Sequence, residues 1–163
     1  MTDLLYLVFA VYYLVRICID CLTLLHTMNP STIVFAKGVA NVGIGLILFW
    51  KPVLLYESSA TKALSALTGL GMTNSSIAPG FNHSIACLVA SVGLGSVVAA
   101  RSGPAALPAI LAMTSACTVL SLITCAFAPV AWGVGSATLL LGGLVNAIFS
   151  LGLYLAEPRL LRF

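Results

Sequence analysis

The sequence predicts an all-α, polytopic transmembrane bundle of about five helices, a single integral membrane domain over residues 1–163. Three observations carry that expectation. Of the 163 residues, 61% are hydrophobic and only 7% are charged, against about 25% charged in an ordinary soluble domain. Apolar runs long enough to cross a ~30 Å hydrocarbon core recur along the chain. Turn-forming residues and the few charges fall between those runs. Such a composition cannot cover a surface that faces water. It covers one that faces lipid, where helices satisfy their own backbone and no polar shell is needed.

Taken in order, the first apolar run predicts a helix over residues 4–26. Asp3 stands before it with no Lys or Arg, the wrong start for a cleavable leader, so this segment is expected to stay as an anchor. Asn29-Pro30-Ser31 reads as a turn, with Ser31 or Thr32 capping the next helix. That helix is expected over residues 32–50, running on past Pro52 to residue 55 or so. Residues 57–82 form the longest polar stretch, a loop or interfacial segment of about 25 residues. Leu64, Leu67 and Leu70 have helical spacing and suit a helix lying on the membrane surface. Gly71 to Asn82 reads as a loop. Helices then follow at about 83–100, 106–128 and 132–155, separated by Arg101-Ser102-Gly103-Pro104 and by the uncharged hairpin 129–133.

Five spans put residues 57–82 on one side of the membrane and Arg101, Arg159 and Arg162 on the other. Lys51 and Lys62 oppose these arginines. The small positive excess favours a cytoplasmic C-terminus and a lumenal 57–82 segment. That segment contains Asn74-Ser75-Ser76 and Asn82-His83-Ser84, both of the N-glycosylation pattern. Asn74 is the expected acceptor, because Asn82 lies too close to the membrane. An endoplasmic-reticulum-type membrane fits this arrangement.

The most specific signal is a pair of polar stripes. Tyr12, Arg16 and Asp20 repeat at four-residue steps in the first helix. Lys37, Asn41 and Gly45 do so in the second. Measured from the turn at Asn29 at 1.5 Å per residue, Asp20 matches Lys37 in depth, Arg16 matches Asn41, and Tyr12 matches Gly45. Asp20 is placed to pair with Arg16 one turn away and with Lys37 across the hairpin, while Gly45 leaves room for the Tyr12 ring. An ionisable group at the centre of a span costs at least ~2.5 kcal/mol and marks a functional site by default. The plainer alternative is an ion-pair ladder that fixes helix register. Milder stripes are His83, Cys87, Ser91 and Gly95; Thr114, Thr118, Ser121 and Cys125; and Gly143, Asn146 and Ser150. These read as packing faces, except that the Asn146 amide needs a partner and is a candidate for binding substrate.

Several function classes drop out. The net charge of +3 is scattered rather than clustered, which disfavours nucleic acid as a partner. Cys18 and Cys21 form a CxxC, but cysteine is often buried as a small apolar residue. No second CxxC or His cluster completes a metal site. His26 and His83 fall on opposite sides of the membrane. No glycine-rich nucleotide motif, haem ligand set or di-iron cluster occurs, so no cofactor is expected.

In size, helix density and intramembrane acids the chain resembles small multi-pass endoplasmic-reticulum enzymes of fungal secondary metabolism, the membrane hydrolases, isomerases and cyclases. The resemblance implies a biosynthetic membrane enzyme. It rests on no shared motif and assigns no residue. The polar stripes supply acid–base chemistry suited to a lipophilic small molecule: Asp20 as base or acid, Arg16 and Lys37 as electrostatic partners, and Tyr12, Asn41 and Asn146 orienting substrate. A second expectation is a non-catalytic membrane subunit or assembly factor, whose small-residue faces pack on partner helices or on a second copy. A third is a carrier of ions or small solutes, which the absence of an internal repeat disfavours. An enzyme requires a cavity beside the polar stripes; a subunit requires closed packing there.

Overall fold

A computed structural model of the chain describes residues 16, 20, 23–25, 27–127 and 135–161. Within them lie five helices of ten residues or more: α1 (Pro30–Trp50), α2 (Ser59–Thr68), α3 (Pro79–Arg101), α4 (Leu107–Phe127) and α5 (Ala137–Ala156). Short 3-10 turns precede α4 (Pro104–Ala106) and follow α5 (Pro158–Leu161). There is no strand among the described residues. Four helices, α1, α3, α4 with its preceding turn, and α5, are long and apolar enough to cross a membrane. The molecule is an all-α polytopic bundle. Leu88, Leu94, Val98 and Leu120 lie exposed on its sides, as a surface in contact with lipid requires.

Local chemistry sets the helix ends. Asn29, rather than Ser31 or Thr32, caps α1: its Oδ1 accepts from the Ser31 N–H at 2.9 Å, and Pro30 takes the first helical position. Proline is suited there because it has no N–H to leave unpaired and its φ is already helical. The expected continuation past Pro52 does not occur. The residue before a proline is pushed out of the helical region, and Lys51 leaves α1 at φ −144 with its N–H bonded to the Ile47 carbonyl. A separate single turn follows, Val53–Tyr56.

The polar segment is more ordered than a surface helix followed by a free loop. Ser58 caps α2, its Oγ accepting from the Thr61 N–H at 3.2 Å. Gly69 ends the helix at φ +71, a left-handed conformation that only glycine adopts without strain. Leu64 and Leu70 are buried with Cys125 of α4 and Ala137 of α5. The Ala137 N–H donates to the Gly71 carbonyl at 3.0 Å, and Thr73 Oγ1 donates to Ser136 Oγ at 3.1 Å. The segment therefore caps one end of the α4–α5 pair.

Two antiparallel pairs build the bundle. The broadest interface joins α1 and α3. A Cβ on Gly93 would stand 2.7 Å from the Gly38 carbonyl oxygen, and one on Gly45 would stand 2.8 Å from the Ala90 Cβ. Backbones approach this closely only where side chains are absent, the usual way helices associate in lipid. In the second pair, a Cβ on Gly143 of α5 would meet the Ser121 Cβ of α4 at 2.8 Å. The core between the pairs contains Val34, Leu107, Ile110, Leu111, Leu153 and Leu160.

Helix order then sorts the connections. Asn29, the Arg101–Leu107 connection and the end of α5 share one end of the bundle. Residues 51–78 and the start of α5 share the other. Before α1, Leu25 is helical and 6% exposed. It fills the space at Gly152 of α5, where a Cβ would stand 2.7 Å from Leu25 Cδ1.

Candidate functional site

Lys37 lies in the second turn of α1, well inside a 21-residue apolar helix. Its position between Val34 and Gly38, both buried, turns it inward, and it is 4% exposed. Across from it stands α4, with Cys117 nearby. Lys37 has no hydrogen-bond or ion-pair partner among the described residues. Four residues on, Asn41 is half-buried on the same helix.

Arg16 and Asp20 are helical and exposed. Four residues and one helical turn separate them, as the sequence spacing requires. Tyr12, Cys18, Cys21 and His26 lie outside the described residues, so the proposed roles of Tyr12 and of the CxxC fall beyond the structure. The space at Gly45 faces Ala86 and Ala90 of α3.

Asn146 needs no distant partner. Its Nδ2 donates to the Gly142 carbonyl one turn back at 2.9 Å. That bond leaves its Oδ1 unengaged. The Thr114 stripe behaves as a packing face, with Thr114 and Cys125 buried and Ser121 against Gly143. The His83, Cys87, Ser91 and Gly95 stripe does not: all four are exposed. The α3 face that packs on α1 carries Ala86, Ala90 and Gly93 instead. His83 stacks beside the Phe49 ring, with centroids 4.9 Å apart.

Two grooves open on the bundle. One, of about 330 Å³, lies between α4 and α5 and is lined by residues including Leu111, Thr118, Ser150 and Tyr154. The Ser150 hydroxyl at this groove is buried without a hydrogen bond. The other, of about 470 Å³, lies at the Asn29 end, where Pro30, Pro104, Glu157 and Arg159 meet. Lys37 lines neither. No three His, Cys, Asp or Glu side chains converge on a common point among the described residues.

Sequence reasoning missed one polar centre. Asn82, taken as a membrane-boundary residue, is 6% exposed. It accepts from the Tyr56 hydroxyl at 3.0 Å and donates to the Ser75 carbonyl at 2.7 Å. It ties the Val53–Tyr56 turn to the loop before α3. Tyr56 and Asn82 are 26 residues apart, and no spacing rule joins them.

Comparison with known proteins adds no relative: no family model, no curated protein and no solved structure matches this chain.

Proposed function

We propose that this membrane protein is a cofactor-independent enzyme that applies acid–base chemistry to a lipophilic small molecule within the bilayer, of the epoxide hydrolase, isomerase or cyclase type. One observation carries the reading: Lys37 is 4% exposed inside an apolar span, with no hydrogen-bond or ion-pair partner among the described residues. A ladder that served only to fix register would hold this amine in an ion pair. An unpaired cation at such depth is expensive and is retained for what it does. In the proposed centre Asp20 takes or gives the proton, while Lys37 and Arg16 stabilise the oxyanion that develops when a C–O bond opens or an enol forms. Tyr12, Asn41 and Asn146 orient the substrate. The substrate enters from lipid, in keeping with an endoplasmic-reticulum membrane and a cytoplasmic C-terminus.

A second reading, a non-catalytic subunit, draws on a different observation. Arg16 and Asp20 are both exposed, and neither groove touches Lys37. Charged side chains facing lipid call for cover, and a partner helix would supply it.

Metabolite profiling of the source cells separates the two. Strains carrying Asp20→Asn or Lys37→Met are compared with a full deletion, with protein level measured in each. The enzyme reading expects both variants, at normal abundance, to accumulate the same lipophilic intermediate as the deletion. An unchanged profile at normal abundance sinks it in favour of the subunit.

A further inference from the structure

The chain holds three Asn-x-Ser sequences, and their surroundings in the fold differ sharply. Asn29-Pro30-Ser31 has proline in the middle position, which bars it as an acceptor, and Asn29 is committed as the α1 cap. Asn82-His83-Ser84 lies in the first turn of α3. Asn82 is buried, with its oxygen bonded to Tyr56 and its nitrogen to Ser75. A glycan on that nitrogen would crowd the Ser75 carbonyl and would have no room at a buried side chain. Asn74-Ser75-Ser76 alone is open. Asn74 is exposed. Its Oδ1 accepts from both the Ser76 N–H at 2.9 Å and the Ser76 hydroxyl at 2.7 Å. Its Nδ2 has no partner among the described residues, and Ser76 and Ile77 beside it are exposed too. An exposed residue whose amide nitrogen is not bonded to the fold leaves room for a bulky substituent.

The fold places this acceptor at one end of the bundle. Arg101 and Arg159 lie at the other, the latter lining the groove beside Pro30. Arg162 follows shortly after it in sequence. The acceptor end carries Lys51 and Lys62. The excess of cations favours the arginine end as cytoplasmic and the Asn74 end as lumenal, where glycan transfer occurs.

We infer that Asn74 is an N-glycosylation site, occupied by a single glycan, and that the segment between α2 and α3 is lumenal. In the transfer, Asn74 Nδ2 gives one proton to a base of the transferase and bonds to the anomeric carbon of a glycan carried on a lipid pyrophosphate. The anomeric C–O bond of that donor breaks, and the lipid pyrophosphate leaves with its electron pair. The host membrane supplies the lipid-linked donor, and its oligosaccharyl transferase catalyses the transfer.

The full-length chain, translated with endoplasmic-reticulum microsomes, tests this directly. Only membrane-inserted, carbonate-resistant chains are scored, so the readout does not depend on a stable fold. The expected result is one step of slower migration, removed by endoglycosidase, lost in Asn74→Gln and in Ser76→Ala, and kept in Asn82→Gln. An acceptor sequence appended after Phe163 stays unmodified. Absence of the step in the unaltered inserted chain overturns the inference. So does a step that survives Asn74→Gln, or modification of the appended acceptor.

Discussion

At Lys37 the two functional readings make opposite demands. A side chain that merely holds helices together is missed when removed; one that does chemistry is a burden on the fold it sits in. Methionine has a similar reach and flexibility without the charge. On the enzyme reading, Lys37→Met relieves an insertion cost of at least ~2.5 kcal/mol, so its thermal midpoint in detergent should equal or exceed that of the unaltered protein while product formation is lost. A fall in midpoint alongside the loss would assign the amine a structural role. Tyr56 is the converse case. Its hydroxyl satisfies the buried Asn82 oxygen, and Tyr56→Phe strands that acceptor at a cost of ~1–3 kcal/mol, to be read from the same melting curves. Burial pushes the Tyr56 phenol above its ordinary value of 10.0. The folded chain thus holds the phenolic proton more tightly than the unfolded one. This contribution is complete below pH ~10 and fades as pH rises through the folded value. The unaltered protein should therefore lose more stability above that pH than Tyr56→Phe does.

Among the elements, the α1–α3 seam shows what spacing reveals and what it hides. Helix existence was legible, because apolar runs of this length with turn residues between them have few other solutions. The ends moved by a few residues for identifiable reasons: Asn29 and Pro30 started α1 early, Lys51-Pro52 stopped it early, and α3 began at Pro79 rather than near 83. Which face packs was not legible. Small residues recur on several faces of α3, and only the partner decides among them. His83, Cys87, Ser91 and Gly95 gave the more regular stripe, yet Ala86, Ala90 and Gly93 make the contact. The seam and the open face can be told apart by mutation. Gly93→Ala sets a Cβ 2.7 Å from the Gly38 oxygen and the Val42 nitrogen. Overpacking of this kind costs ~1–3 kcal/mol. Gly95→Ala meets nothing within 4 Å and should be neutral, or stabilising by up to ~1 kcal/mol through helix propensity. Equal effects in thermal unfolding would place the seam elsewhere. The candidate site was legible only in part. Depth along a helix can be counted from a turn, so the sequence put Lys37 and Asn41 inside a span, where α1 carries them. The rotation of one helix against another cannot be counted, and the α1 face bearing Gly45 turned out to belong to α3.

At the scale of the molecule, the first segment and the four described spans join through a contact that the hairpin argument did not contain. Leu25 fits the space left by Gly152 on α5, so the end of the first segment is held by the last helix as well as by the Asn29 turn. The two antiparallel pairs, α1 with α3 and α4 with α5, make their glycine contacts without it. Leu25 therefore ties the segment that carries Arg16 and Asp20 to α5. Gly152→Leu uses this contact. Its side chain would collide with the Leu25 Cβ as well as its Cδ1, driving the segment off α5 while leaving both glycine seams intact. The four-span core should then melt close to the unaltered protein, and well above a Gly93→Leu control that splits α1 from α3. On the enzyme reading, product should fall as far as in Lys37→Met, because that reading needs the Asp20 carboxylate and the Lys37 amine together. Normal product from Gly152→Leu, with the segment shown by crosslinking to have left α5, would mean that the acid and the amine need not meet, and the charges on the first segment would pass to a partner protein.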